Sequence, residues 1–157
     1  MADLIFNVAK GRVAELHDRV DKNDPTNSVL VVLLLKVSAS DAALKDLADV
    51  GSFWGNGCTE CDATNYARKI LNDSQIVSST VDQANDRREC DIPDVTWTGL
   101  GGAVNNSLVK LVIAYDPDST TGDDSTLVPL AAFDFPQQTN GSDVTAVINA
   151  AGYFRAT

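Results

Sequence analysis

The chain has 157 residues, 44% hydrophobic and 22% charged, enough for one ordinary domain with a sizeable core and unlike a disordered or collagen-like polymer. Twelve basic against 22 acidic residues leave a net charge of −10. Such a surface repels phosphate, which argues against nucleic-acid partners and anionic membranes alike.

The opening segment places Asp3 ahead of a short apolar stretch, without the positive start and long apolar core of a signal peptide. Synthesis in the cytoplasm without export by that route is the expectation. Residues 3–8 read as a short strand. Between Gly11 and Val20, Val13, Leu16 and Val20 have helical spacing, whereas Val13, Glu15 and His17 would share one face of a strand, so periodicity leaves both open. Asn23-Asp24-Pro25 is a break, because proline removes a donor and restricts the residue before it. Val29 to Val37 is β-branched and leucine-rich, the pattern of a central strand buried on both faces. Its apolar run ends at Lys36, far short of the roughly 20 residues that span a membrane.

A helix is expected over 41–50, capped by Ser40, with Leu44 and Leu47 on one face and Gly51 as its stop. Residues 51–63 read as a glycine-rich loop pinned to the core by Phe53 and Trp54. Residues 64–72 fit a helix, with Tyr66 and Ile70 aligned, or a strand. From about residue 75 the pattern is β: Val95–Thr98, Leu108–Tyr115, Leu127–Phe135, Val144–Ile148 and Tyr153–Arg155. Pro129 makes its strand an edge or marks a bulge. The segments 99–106 and 116–126 have the Gly, Asn and Asp content of hairpin connections. Residues 1–157 are therefore read as a single, mainly β (α+β) domain, a β-sandwich or barrel with one or two short helices.

Cys58-Thr59-Glu60-Cys61 is the most chemical-looking motif. Two thiolates at that spacing can grip one corner of a tetrahedral zinc site or close a redox disulfide. A structural zinc needs two further ligands, and only Cys90 and His17 remain, so the motif reads first as a loop that holds two thiols. Three cysteines, an odd number, also fit a secreted disulfide scaffold poorly. Asp116, Asp118, Asp123 and Asp124 make an oxygen-rich stretch, but its glycine is late and no glutamate closes it as in a calcium loop. A solvated hairpin tip is expected. One histidine, His17, supplies no nucleophile–base set and reads as a surface or half-buried polar residue. Gly99-Leu100-Gly101-Gly102 lacks the third glycine of a dinucleotide fingerprint. Trp54 and Trp97 read as core anchors. No residue is assigned to catalysis, to a cofactor or to a metal, and an enzyme is not expected.

The phrases LIFNVAKGRVAELHDRV, NDPTNSVLVVLLLK, TNYARK at 64–69, DIPDVTWT at 91–98, VIAYDPDSTTGDDSTLVPLAAFDF at 112–135 and GSDVTAVINAAGYFRA at 141–156 resemble a family of small virion structural proteins of tailed phages, encoded beside the head genes. The GCTEC loop lies outside that pattern. The resemblance implies a capsid decoration or cement protein on the virion exterior. Its partner would be the phage major capsid protein, with a second copy of itself as a further candidate. Contacts would run through apolar and backbone groups at strand edges or the N-terminal segment, with the acidic 116–124 tip turned to solvent. A head–tail connector or tail component is the alternative of the same class; a zinc-binding or thiol-redox protein built on Cys58, Cys61 and Cys90 is the alternative of another.

Overall fold

The computed structural model describes residues 4–156. In chain order these form β1 (Leu4–Ile5), a 3-10 turn (Asn7–Ala9), α1 (Val13–Asp21), β2 (Val29–Val37), α2 (Asp41–Leu44), α3 (Gly51–Gly55), β3 (Thr59–Glu60) and β4 (Lys69–Leu71). There follow β5 (Thr80–Asp82), β6 (Arg87–Cys90), β7 (Val95–Trp97), β8 (Ser107–Asp116), β9 (Val128–Gln138), β10 (Val144–Ala146) and β11 (Phe154–Ala156). Strand accounts for 35% and helix for 16%, the mainly β balance expected from the turn-rich sequence.

All pairing is antiparallel. The main sheet runs β1-β9-β8-β2, and β3 and β4 share the far edge of β2. It has two ends and is open, a layer rather than a barrel. Two small sheets, β10-β7 and β11-β6-β5, complete the strands.

β2 is the centre. Leu30, Val32 and Leu34 enter one apolar cluster, while Val29, Val31, Leu33 and Leu35 enter another on the opposite face. That two-faced burial is why the strand is apolar throughout. The first face is covered by α1 and by the small sheets, which bring Cys90, Val95, Trp97, Ala146 and Tyr153. The second is covered by Phe6, Leu44, Val50 and Phe53, from the 3-10 turn and the α2–α3 segment.

α1 settles the ambiguity over 11–20 as a helix. Val13, Leu16, His17 and Val20 turn inward, while Glu15 pairs with Arg12 and Arg19 on the solvent side. Over 64–72 only the strand alternative forms, as β4. Of the expected 3–8 strand, Leu4 and Ile5 pair with Ala132 and Ala131 of β9; Asp3 lies outside the described residues. Pro129 sits at a bulge, where the register with β8 shifts between Ile113 and Ala114.

Three expectations are corrected. The helix expected over 41–50 is one turn long. Ser40 caps it, its Oγ accepting from the Ala43 N–H at 3.4 Å, but tertiary partners then take the backbone: Lys45 O accepts from Asn7 N and Val50 N donates to Leu127 O. Gly51 does not stop that helix; it opens α3, where a Cβ would lie 3.2 Å from the Ser125 backbone nitrogen. The loop expected over 51–63 thus contains α3 and β3. Finally, 99–106 is no hairpin connection, since β7 pairs with β10 and β8 pairs with β2 and β9.

Candidate functional site

The C-x-x-C thiols are split by the strand between them. Side chains alternate across a strand, so positions three apart point to opposite faces. Cys58 packs with Phe53 and Leu33 in one cluster, while Cys61 packs with Leu34 and Ala63 in the other. Both are buried and free, as is Cys90. Burial raises the Cys61 thiol and pushes Cys90 up to about 12, the opposite of an activated thiolate. Cys58 Sγ accepts from the Ala39 N–H at 3.4 Å. Among the described residues no group of three or more His, Cys, Asp or Glu is placed to hold a metal ion.

His17 is not at the surface, as the sequence suggested, but fully buried on the inner side of α1. Its Nε2 lies 2.9 Å from Val77 O, a carbonyl that only accepts, so Nε2 carries the proton. Nδ1 then accepts from the Tyr153 hydroxyl at 3.3 Å. Burial lowers its pKa, with the Val77 carbonyl and the Asp18, Asp21 and Asp91 carboxylates working the other way. Alongside, Asp18 accepts from Ser79 N and pairs with Arg88 at 2.5 Å. Tyr153 reaches this site because Gly152 has φ +81 and passes against the Cys90 carbonyl, where any Cβ would collide.

The carboxylates of 116–124 serve separate backbone and side-chain partners. Asp116 is buried, accepts from Asp118 N, and has its pKa raised by burial. Asp118 accepts from Thr120 and Asp123 caps the short turn at 124–126. Asp124 meets Arg68. The tip itself, 119–123, is exposed as expected, while Asp116 at one flank is buried and Asp124 at the other is held by Arg68.

Sequence reading missed the Arg68 hub. Its guanidinium binds Glu60 at 2.7 Å and also Asp124, and it lies 6.0 Å from the centre of the Trp54 ring. The Trp54 indole donates to Asp124 at 3.0 Å. Trp54 is thus 37% exposed and belongs to this surface cluster, whereas Trp97 is the buried anchor, donating to Ala67 O. The bonds from Asp124 and Glu60 raise the Arg68 pKa and keep it charged. Lys110 is the second missed group: its ammonium lies between Asp41 and Asp134 at 2.6 and 2.5 Å. Burial works to lower its pKa, but the two carboxylates outweigh it and the pKa rises.

These polar groups are engaged with one another, which leaves grooves and sheet edges as the surface open to a ligand. A groove of about 460 Å³ opens between β9 and the segment from β10 to β11. Leu111, Phe133, Phe135, Ile148 and Phe154 line it, and Val147, 77% exposed, stands beside it. Alternation along β9 is the one sequence signal for it, since Phe133 and Phe135 fall on one face. No helix among the described residues is long and apolar enough to cross a membrane. No protein-family model, curated protein or solved structure matches the chain.

Proposed function

We propose that the chain is a structural virion protein of a tailed phage that binds the outside of the major capsid lattice as a decoration or cement protein. The sequence resemblance supports this reading, and the aromatic groove beside β9 is the observation in the fold that carries it. A cleft lined mainly by apolar and aromatic side chains, with Asp134, Asn149 and Arg155 among the lining residues, is the kind of surface that takes a partner's extended segment. The His, Cys, Arg and Lys groups, in contrast, make bonds or packing contacts that hold the chain together. The net charge of −10 suits an exterior position, away from packaged nucleic acid. On a lattice, many modest and symmetry-related contacts add up without one tight site.

Co-sedimentation with expanded capsids lacking the protein tests the proposal, together with the temperature at which those capsids rupture. The wild-type chain is expected to pellet with capsids and raise the rupture temperature. Val147→Asp, at an exposed position beside the groove, should abolish both while leaving the circular dichroism spectrum unchanged. Failure of the wild-type chain to co-sediment would turn the assignment towards a connector or tail component.

A further inference from the structure

We propose that Asn56-Gly57, the turn leaving α3, is a site of spontaneous asparagine modification, and that the fold shields the chain's other Asn-Gly pair, Asn140-Gly141, from the same chemistry. The inference stands apart from any virion role. The reaction needs only water. The backbone nitrogen of the following residue bonds to the asparagine Cγ, the Cγ–Nδ2 bond breaks, and ammonia leaves a five-membered imide. Water then opens the imide at either carbonyl, giving aspartate or isoaspartate. Asparagine is among the thermolabile residues, and a following glycine offers no Cβ to block the ring closure.

The two pairs share a dipeptide and differ in what holds the attacking nitrogen. Gly57 is exposed at φ +82, and nothing lies within 4 Å of where its Cβ would be. No acceptor among the described residues takes its N–H. The Asn56 amide is held only by a 2.7 Å bond to Ser52 O, at the end of a five-residue helix whose last turn opens readily.

Gly141 is also exposed, but its N–H donates to Leu100 O at 2.8 Å. Asn140 Oδ1 accepts from Ser142 N at 3.0 Å. Two turns press together here: a Cβ on Gly141 would lie 3.4 Å from Gly102 Cα, and one on Gly101 would lie 2.9 Å from Asn140 N. Swinging the Gly141 nitrogen towards its own asparagine would break a backbone bond and part these turns. Conversion at Asn56 replaces the amide donor to Ser52 O with a carboxylate, which cannot donate. In the isoaspartate product it also lengthens the main chain between α3 and β3.

The test incubates the full chain in mildly alkaline buffer, folded and in denaturant, and follows both peptides by mass spectrometry and isoaspartate methyltransferase labelling. In the folded protein the Asn56 peptide is expected to gain the mass of an amide turned acid while the Asn140 peptide stays unchanged. In denaturant both should react at similar rates. Asn56→Gln should remove the folded-state signal. An Asn140 that reacts as fast as Asn56 in the folded chain would overturn the proposal, as would an Asn56 that reacts only in denaturant.

Discussion

The two faces of the main sheet are both apolar but are roofed differently. One is covered by chain close in sequence to its strands, the 3-10 turn and the α2–α3 segment, and its cluster contains Phe6, Phe53, Cys58 and aliphatics. Its charged groups, Lys110 and Arg68, are held in ion pairs towards its margins. The other is roofed by α1 and two small sheets gathered from distant positions, and it takes buried His17, Tyr153 and Trp97 into its interior. A locally built roof can be almost all hydrocarbon, here with the Cys58 thiol as the exception. A roof assembled from separate segments needs polar groups that fix how the segments meet, here through a histidine joining α1, the 72–79 segment and the C-terminal segment.

Removing the large anchors should cost most and roughly equally on both faces. Trp97→Ala and Phe53→Ala should each lose about 3–5 kcal/mol in urea denaturation. A much smaller loss for Phe53 would mean that the local roof collapses into the gap. Next, Arg68→Ala should lose about 1–3 kcal/mol, since two half-buried carboxylates lose their counter-charge. Part of that loss should vanish in high salt, and Trp54 fluorescence should shift as the cation leaves the ring.

The pH response separates the faces more sharply. The folded His17 pKa lies below the ordinary value of 6.5, so the unfolded chain binds the proton first as pH falls. Stability contributed by neutral His17 is present above that value and is lost progressively as pH falls through the depressed folded pKa. The wild-type chain should therefore lose more stability than His17→Gln on acidification from pH 7. Parallel curves for the two proteins would remove His17 from the account. The smallest effect is expected at α2, where Ser40→Ala should cost about 0.5–1 kcal/mol, at the low end for a cap because the bond is long.

The long elements were legible because their signals are local. Val29–Val37 carries its two-sided burial in its composition, and Pro129 announces its bulge. The helix expected over 41–50 failed because Asn7 and Leu127, far along the chain, bind its backbone. His17 is spaced like either a polar strand residue or a helix position, and its burial depends on Val77 and Tyr153, which no local pattern brings near. The separation of Cys58 from Cys61 was available in principle: once the pair is placed in an extended segment, the spacing itself sends the thiols apart. Reading 51–63 as a loop hid it. The groove was legible only as an alternation of Phe133 and Phe135.

The ladder between β2 and β8 pairs Val29–Leu35 with Lys110–Asp116, across everything from Lys36 to Val109. β8 and β9, in contrast, are joined only by residues 117–127 and can meet earlier. The time course of self-assembly follows from that arrangement. The hairpin can form on the timescale of local contacts, whereas the central strand must wait for a long loop to close, which places the chain among slow-folding topologies. Until β2 arrives, the hydrophobic edge of β8 stands bare, so newly made chains are most prone to mispair with one another in that interval.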